Sequence, residues 1–364
     1  MRLLLLVLLL APLFTCRAWA LEEDRNGAAF HLDSMREGLN EQEQEIVGRL
    51  SGTDAYDVGA AMKRLYKSLQ NRIREEVRGT LRFAASLLSL TFLGGFACAM
   101  CEDEKIRSLL EICVCCAAAA LLTGSMDSLI GETLEALYRL SDYSKAALPV
   151  VFTAAAASGA AASAAARFAA VSFALDVLMS LAQRFILPLI NAYLALILSC
   201  AVFPNSVLKA ASRFVRWTAG ILMTGTSLVF TAYIGMTGAI STAVNTAAVK
   251  ATKTLIATAL PVVGGMISDV SAAVLSAAGI VRSCAGAFGL ISVTAICLGP
   301  FVLLTVKTLL FKATSVLAEA VPNARLTALL AGVSDASALL MGLLGSCTIM
   351  LFLSFTVAMK AVTV

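Results

Sequence analysis

Leu148-Pro149-Val150-Val151 and Leu260-Pro261-Val262-Val263 are the same tetrapeptide 112 residues apart, and Pro188 and Pro300 repeat that offset. Further along the chain the offset becomes 118, where Pro204-Asn205 is matched by Pro322-Asn323 and Ile221-Leu222-Met223 by Leu339-Leu340-Met341. A short insertion accounts for the change. Matches in register along two apolar stretches predict an internally duplicated helical core, an architecture in which many transport proteins are built.

The 364 residues are 59% hydrophobic and 14% charged, with a mean hydropathy of +0.86. This lies far outside the range of soluble globular domains. The fold class expected is an all-α polytopic integral membrane protein. The formal net charge of +4 is small and dispersed, so nucleic acid is not an expected partner and the lipid bilayer is.

Residues 1–20 have the organisation of a secretory signal peptide: Arg2, an apolar run from Leu3 to Leu10, and Ala18-Trp19-Ala20 as a cleavage pattern. Export would place residues 21–80 outside the cytoplasm. That small exported segment is split in sign, with ten acids and three bases over 21–57 but two acids and six bases over 58–80. Ser34-Met35-Arg36-Glu37 has capping-box spacing, and Val58, Met62, Leu65, Leu69, Ile73 and Val77 recur at helical intervals. The expected product is a short helical pair. Lys63, Arg64, Lys67, Arg72, Arg74 and Arg78 form its candidate docking face, for anionic lipid or an acidic partner. A solvated face on a helix leading into the membrane is the competing reading.

Residues 81–126 read as a transmembrane hairpin turning at Glu102-Asp103-Glu104-Lys105, and 127–147 as an interfacial amphipathic linker. Membrane repeat 1 spans 148–238 and repeat 2 spans 260–359. Small residues over Ala154–Ala166 and Gly264–Gly279 are expected at the centre, because in lipid close backbone packing replaces the hydrophobic effect. Three spans per unit is the preferred count, with 168–203 either one crossing or broken at Gln183-Arg184. The sequence leaves open whether the repeats are parallel or inverted.

Ionisable groups within apolar segments need a partner or an aqueous path. Asp176 and Arg184 lie on one helical face. Asp269 follows Pro261 and Gly264-Gly265, where a helix should weaken, as Pro149 and Gly159 would weaken the first unit. These eight positions are the candidate pathway or helix-break residues; a structural kink without transport chemistry is the alternative. Cys98-x-x-Cys101 and Cys113-x-x-Cys116 superficially suggest metal ligands, but their separation is shorter than in zinc ribbons, and cysteine also serves as a small apolar residue in membrane helices. They are read as packing, so no metal and no cofactor is expected. The only histidine, His31, lies in the exported segment, and no nucleotide-binding fingerprint occurs. An enzyme is therefore not expected.

From Leu260-Pro261-Val262-Val263-Gly264-Gly265-Met266-Ile267-Ser268-Asp269 through Val270 to Ala277, the chain resembles the stage III sporulation protein AE family. The signal, exposed segment and long membrane region agree with that family's layout. The resemblance implies a component of the channel joining mother cell to forespore during endospore development, in the mother-cell-derived outer forespore membrane. It also implies other stage III A proteins as partners, among them ring-forming subunits and a secretion-type ATPase. A permease-like or export-gate role, a structural platform and an independent secondary transporter are the readings to separate; homo-oligomerisation is left open.

Overall fold

The computed structural model describes residues 35, 37–47, 58–156, 161–203, 205–259, 264–319 and 323–360. Over 58–62, 161–163, 237–259 and 264–284, and at a few single positions such as residue 72, the description is of the backbone alone. The signal peptide, the Ser34 capping box, Gly159 and Pro261 fall outside it.

All regular structure among the described residues is helical: α1 (Glu41–Val47), α2 (Val58–Met100), α3 (Glu104–Ala155), α4 (Ala161–Leu181), a π segment (Ala182–Ile186), α5 (Leu187–Val202), α6 (Ser206–Ala259), α7 (Gly264–Ala318) and α8 (Ala324–Lys360). Six stretches are long and apolar enough to cross a membrane. This is the all-α polytopic fold expected from composition.

Each unit contains a long proline-bearing rod and a second long helix that begins after an asparagine. In the first, α4, the π segment and α5 are followed by Asn205 and α6; in the second, α7 is followed by Asn323 and α8. The repeated asparagines do the same work. Asn205 Oδ1 accepts from the Val207 N–H at 2.9 Å and Asn323 Oδ1 from the Leu326 N–H at 3.1 Å, so each caps its helix and satisfies an otherwise orphaned donor. Pro188 lacks an N–H to continue an α-helical ladder. The chain widens just before it, where the Leu187 N–H donates to the Ala182 carbonyl five residues back. Residues 168–203 are therefore one rod with a π segment at Gln183-Arg184, and not two spans.

The course of α3 differs from the one expected. Residues 127–147 are not set apart as a linker but are the middle of α3, which runs 52 residues without a break. Leu129, Leu137, Leu140 and Tyr143 are buried and hold this stretch against the core. Pro149 lies within the same helix, which continues past it to Ala155. Among the described residues two candidate spans lie within each unit. Of the small-residue stretch in repeat 1, Ala154 and Ala164 are buried whereas Ala165 and Ala166 are exposed; the side chains of its counterpart at 264–279 lie outside the description.

Contacts along the helices fix their directions. Arg216 of α6 meets Asp335 of α8, and Gly342 of α8 packs on Met223 of α6. Both contacts join residues 119 apart, within one residue of the repeat offset, so α6 and α8 meet at equivalent levels. The second helices of the two units run parallel, and the repeats are not inverted. Arg325 near the start of α8 lies close enough to Cys115 of α3 to interact with it, while Tyr143 and Phe355, further along the same two helices, are ring neighbours at 6.5 Å. The turn at 101–103, Asn205 and Asn323 thus share one end of the bundle. Repeat 2 forms its centre: 72% of the most apolar window of α7 and 67% of that of α8 are buried, against 17% for α6.

Candidate functional site

The structure does not gather the candidate pathway residues into one site. Pro149 is half-buried in α3. Asp176 is exposed and faces Lys145 of α3 at 3.8 Å, while Arg184 is exposed at the π segment. Gly264, Gly265 and Asp269 belong to the beginning of α7, with their side chains outside the described set. On α2, Lys63, Arg64, Lys67, Arg74 and Arg78 are exposed as the docking face requires, and an Arg64 guanidinium nitrogen donates to the Glu45 carbonyl at 3.4 Å. Arg72 has no described side chain. Of the four cysteines in the two pairs, Cys98 is buried, Cys101 half-buried, and Cys113 and Cys116 exposed, while the neighbouring Cys115 is buried. Among the described residues no group of three or more His, Cys, Asp or Glu could hold a metal ion.

Two other charged sites emerge. The first is a polar cavity of about 100 Å³ against the middle of α7, lined by Asn40, Glu43, Glu132, Glu135 and Arg139 and by α7 residues including Ile296, Gly299 and Pro300. Pro300 supplies no N–H to the carbonyl of Ile296, one turn before it. A backbone acceptor without its helical donor therefore belongs to a residue of the cavity wall.

Residues of the expected exported segment form the opposite wall. Glu43 Oε2 accepts from the Asn40 N–H at 2.9 Å, and the Gln44 N–H bonds the Asn40 carbonyl. These contacts build the start of α1, three residues beyond the motif proposed at Ser34–Glu37. Glu43 is 6% exposed, and the Arg139 guanidinium of α3 pairs with its carboxylate, supplying the countercharge such burial demands. Met35 and Leu39 join the main apolar core, and Gly38 packs beside Tyr143. Lys307 of α7, two turns beyond Pro300, interacts with Glu76 of α2 and Glu132 of α3. Three long helices and the N-terminal segment thus place their charges on one another.

The second site lies on the seam between the repeats. The Arg216 guanidinium meets the Asp335 carboxylate at 2.7 Å, with side chains 51% and 25% exposed, and the buried Tyr193 of α5 lies beside the pair. Arg216 lies about 15 Å along α6 from its capped end, one residue before Trp217, and its charge is met by that of Asp335. The pair joins near-equivalent positions of the two units and is the principal charged contact across their seam.

A family model for stage III sporulation protein AE matches residues 42–362. The chain belongs to the stage III sporulation protein AE family. The matched region contains both repeats, all of α2 to α8 and Glu43, so the seam and all of the cavity lining except Asn40 fall within the match. No curated protein and no solved structure was found to match the chain. Membership brings a role in sporulation, and six apolar helices bring the membrane.

Proposed function

We propose that this protein is the permease-like or export-gate subunit of the mother cell–forespore channel, in the outer forespore membrane. The Arg216–Asp335 pair carries the reading: it is an ion pair that joins α6 to α8, at the seam of two parallel units. Ionisable groups paired between helices of a membrane bundle are functional-site candidates by default. Family membership supplies the sporulation context. With residues 21–80 exported, the turn at 101–103 and the capped starts of α6 and α8 face the mother-cell cytoplasm and a secretion-type ATPase, while the basic face of α2 and the α1 segment face ring-forming subunits between the forespore membranes. The cavity beside Pro300 then opens toward the ring side and is covered by α1.

A platform that recruits ring subunits without conducting is the second reading. The close packing of repeat 2 favours it, for a Cβ on Gly289 would stand 2.5 Å from the Phe355 ring, leaving little room between α7 and α8. Complementation of a null strain separates the two. The gate reading predicts that Arg216→Gln and Asp335→Asn proteins accumulate and co-purify with their partners yet fail to support forespore development, with at least a tenfold loss of heat-resistant spores. Wild-type spore counts from both variants would reject gating at the seam and favour the platform.

A further inference from the structure

The outer face of α6 has features that the channel reading does not use. Helix α6 contains no acidic residue in 54 positions. Near its loop end it carries Lys209, Arg213 and Arg216 at helical spacing, and their fates differ. Arg216 is neutralised by Asp335, whereas Lys209 and Arg213 are exposed and take part in none of the ion pairs among the described residues. The Arg213 Nε donates only to the Lys209 carbonyl, at 3.4 Å.

Beside these cations runs an exposed apolar stripe. Phe214 and Trp217 are ring neighbours at 6.0 Å, and Ile221 and Leu228 continue the line at helical spacing, all exposed. In the chain's order from the loop, cations come first, aromatic rings next and aliphatic side chains last. This is the order of headgroup, interface and acyl chain met by a helix entering a bilayer. Aromatic residues at the interface accommodate any lipid; two uncompensated cations above them select for charge.

We infer that this face is a binding site for an anionic phospholipid, with its phosphate between Lys209 and Arg213 and its acyl chains along Trp217, Ile221 and Leu228. The occupant is a lipid and not an acidic protein because the cations border an apolar stripe on the least buried of the six candidate spans.

Trp217 reports on the site directly. The chain has two tryptophans, and replacing Trp19 by phenylalanine leaves Trp217 alone. The full-length Trp19→Phe protein is reconstituted in phosphatidylcholine vesicles containing equal small fractions of brominated phosphatidylglycerol or brominated phosphatidylcholine. The anionic quencher is expected to act at lower mole fraction, by roughly fivefold for each cation engaged. Lys209→Gln with Arg213→Gln should abolish the difference, and Lys209→Arg should keep it. Equal quenching by the two lipids, or an anionic preference that survives in the double glutamine variant, overturns the assignment.

Discussion

Leucine in place of Gly332 is expected to push the two repeat units apart and lower the thermal stability of the detergent-solubilised protein. Gly332 sits on α8 where it crosses α5, and a Cβ there would stand 2.6 Å from a methyl of Ile197. Three Ile197 side-chain atoms lie within 3.0 Å of that Cβ, so a whole leucine requires the helices or Ile197 to shift. Overpacking of this kind costs about 1–3 kcal/mol. In a membrane bundle it also removes the close backbone approach on which helix association depends. Ile197→Ala in the Gly332→Leu background should restore much of the loss by reopening the space. The account of the seam fails if Gly332→Leu melts with the wild type, or if the smaller residue at 197 gives no recovery.

Arg139→Ala should release the N-terminal segment while leaving the bundle folded. Its guanidinium is the partner of Glu43, and the two side chains are 28% and 8% exposed. Removing one member of such a pair strands a charge, an effect of roughly 3–5 kcal/mol for buried pairs. The cheapest escape for the chain is to expose Glu43 by detaching residues 35–47. Cleavage by a glutamate-specific protease within that segment is therefore expected to accelerate at least tenfold, with α7 and α8 remaining protected. Replacing both residues by glutamine should restore much of the protection, since no charge is then left alone. Unchanged cleavage in Arg139→Ala, or equal cleavage in the single and double variants, would show that the pair does not hold the segment down.

These two sites differ in how far the sequence revealed them. The proline and asparagine matches made the two hairpins legible, and the caps at Asn205 and Asn323 are the physical reason those dipeptides recur. The seam was missed because Arg216 follows Lys209 and Arg213, and so looks like part of a basic helix end. The usable signal was the duplication itself: at an offset of 118, Arg216 falls one residue from Asp335, and opposite charges at adjacent equivalent positions suggest a contact between units.

The amphipathic pattern over 127–147 was real but had a different cause. A polar stripe looks the same whether it meets water at a bilayer surface or is covered by another segment. Here Arg139 serves Glu43, Glu132 and Glu135 line the cavity, and Glu132 also interacts with Lys307. Nothing local encodes a pairing across 96 residues. The direction of the repeats was equally hidden, because counting spans and loop charges does not reveal which levels of two helices touch, whereas the Arg216–Asp335 and Met223–Gly342 contacts do.

Whether the protein works within a channel complex is decided by what it carries with it from the membrane. The tagged full-length protein would be purified from membranes of sporulating cells, with the co-purifying proteins identified by mass spectrometry. The ring-forming stage III A proteins and the secretion-type ATPase are expected in amounts comparable with the bait. Recovery of the protein alone, or with unrelated solute- or lipid-handling proteins, would contradict membership of such a complex.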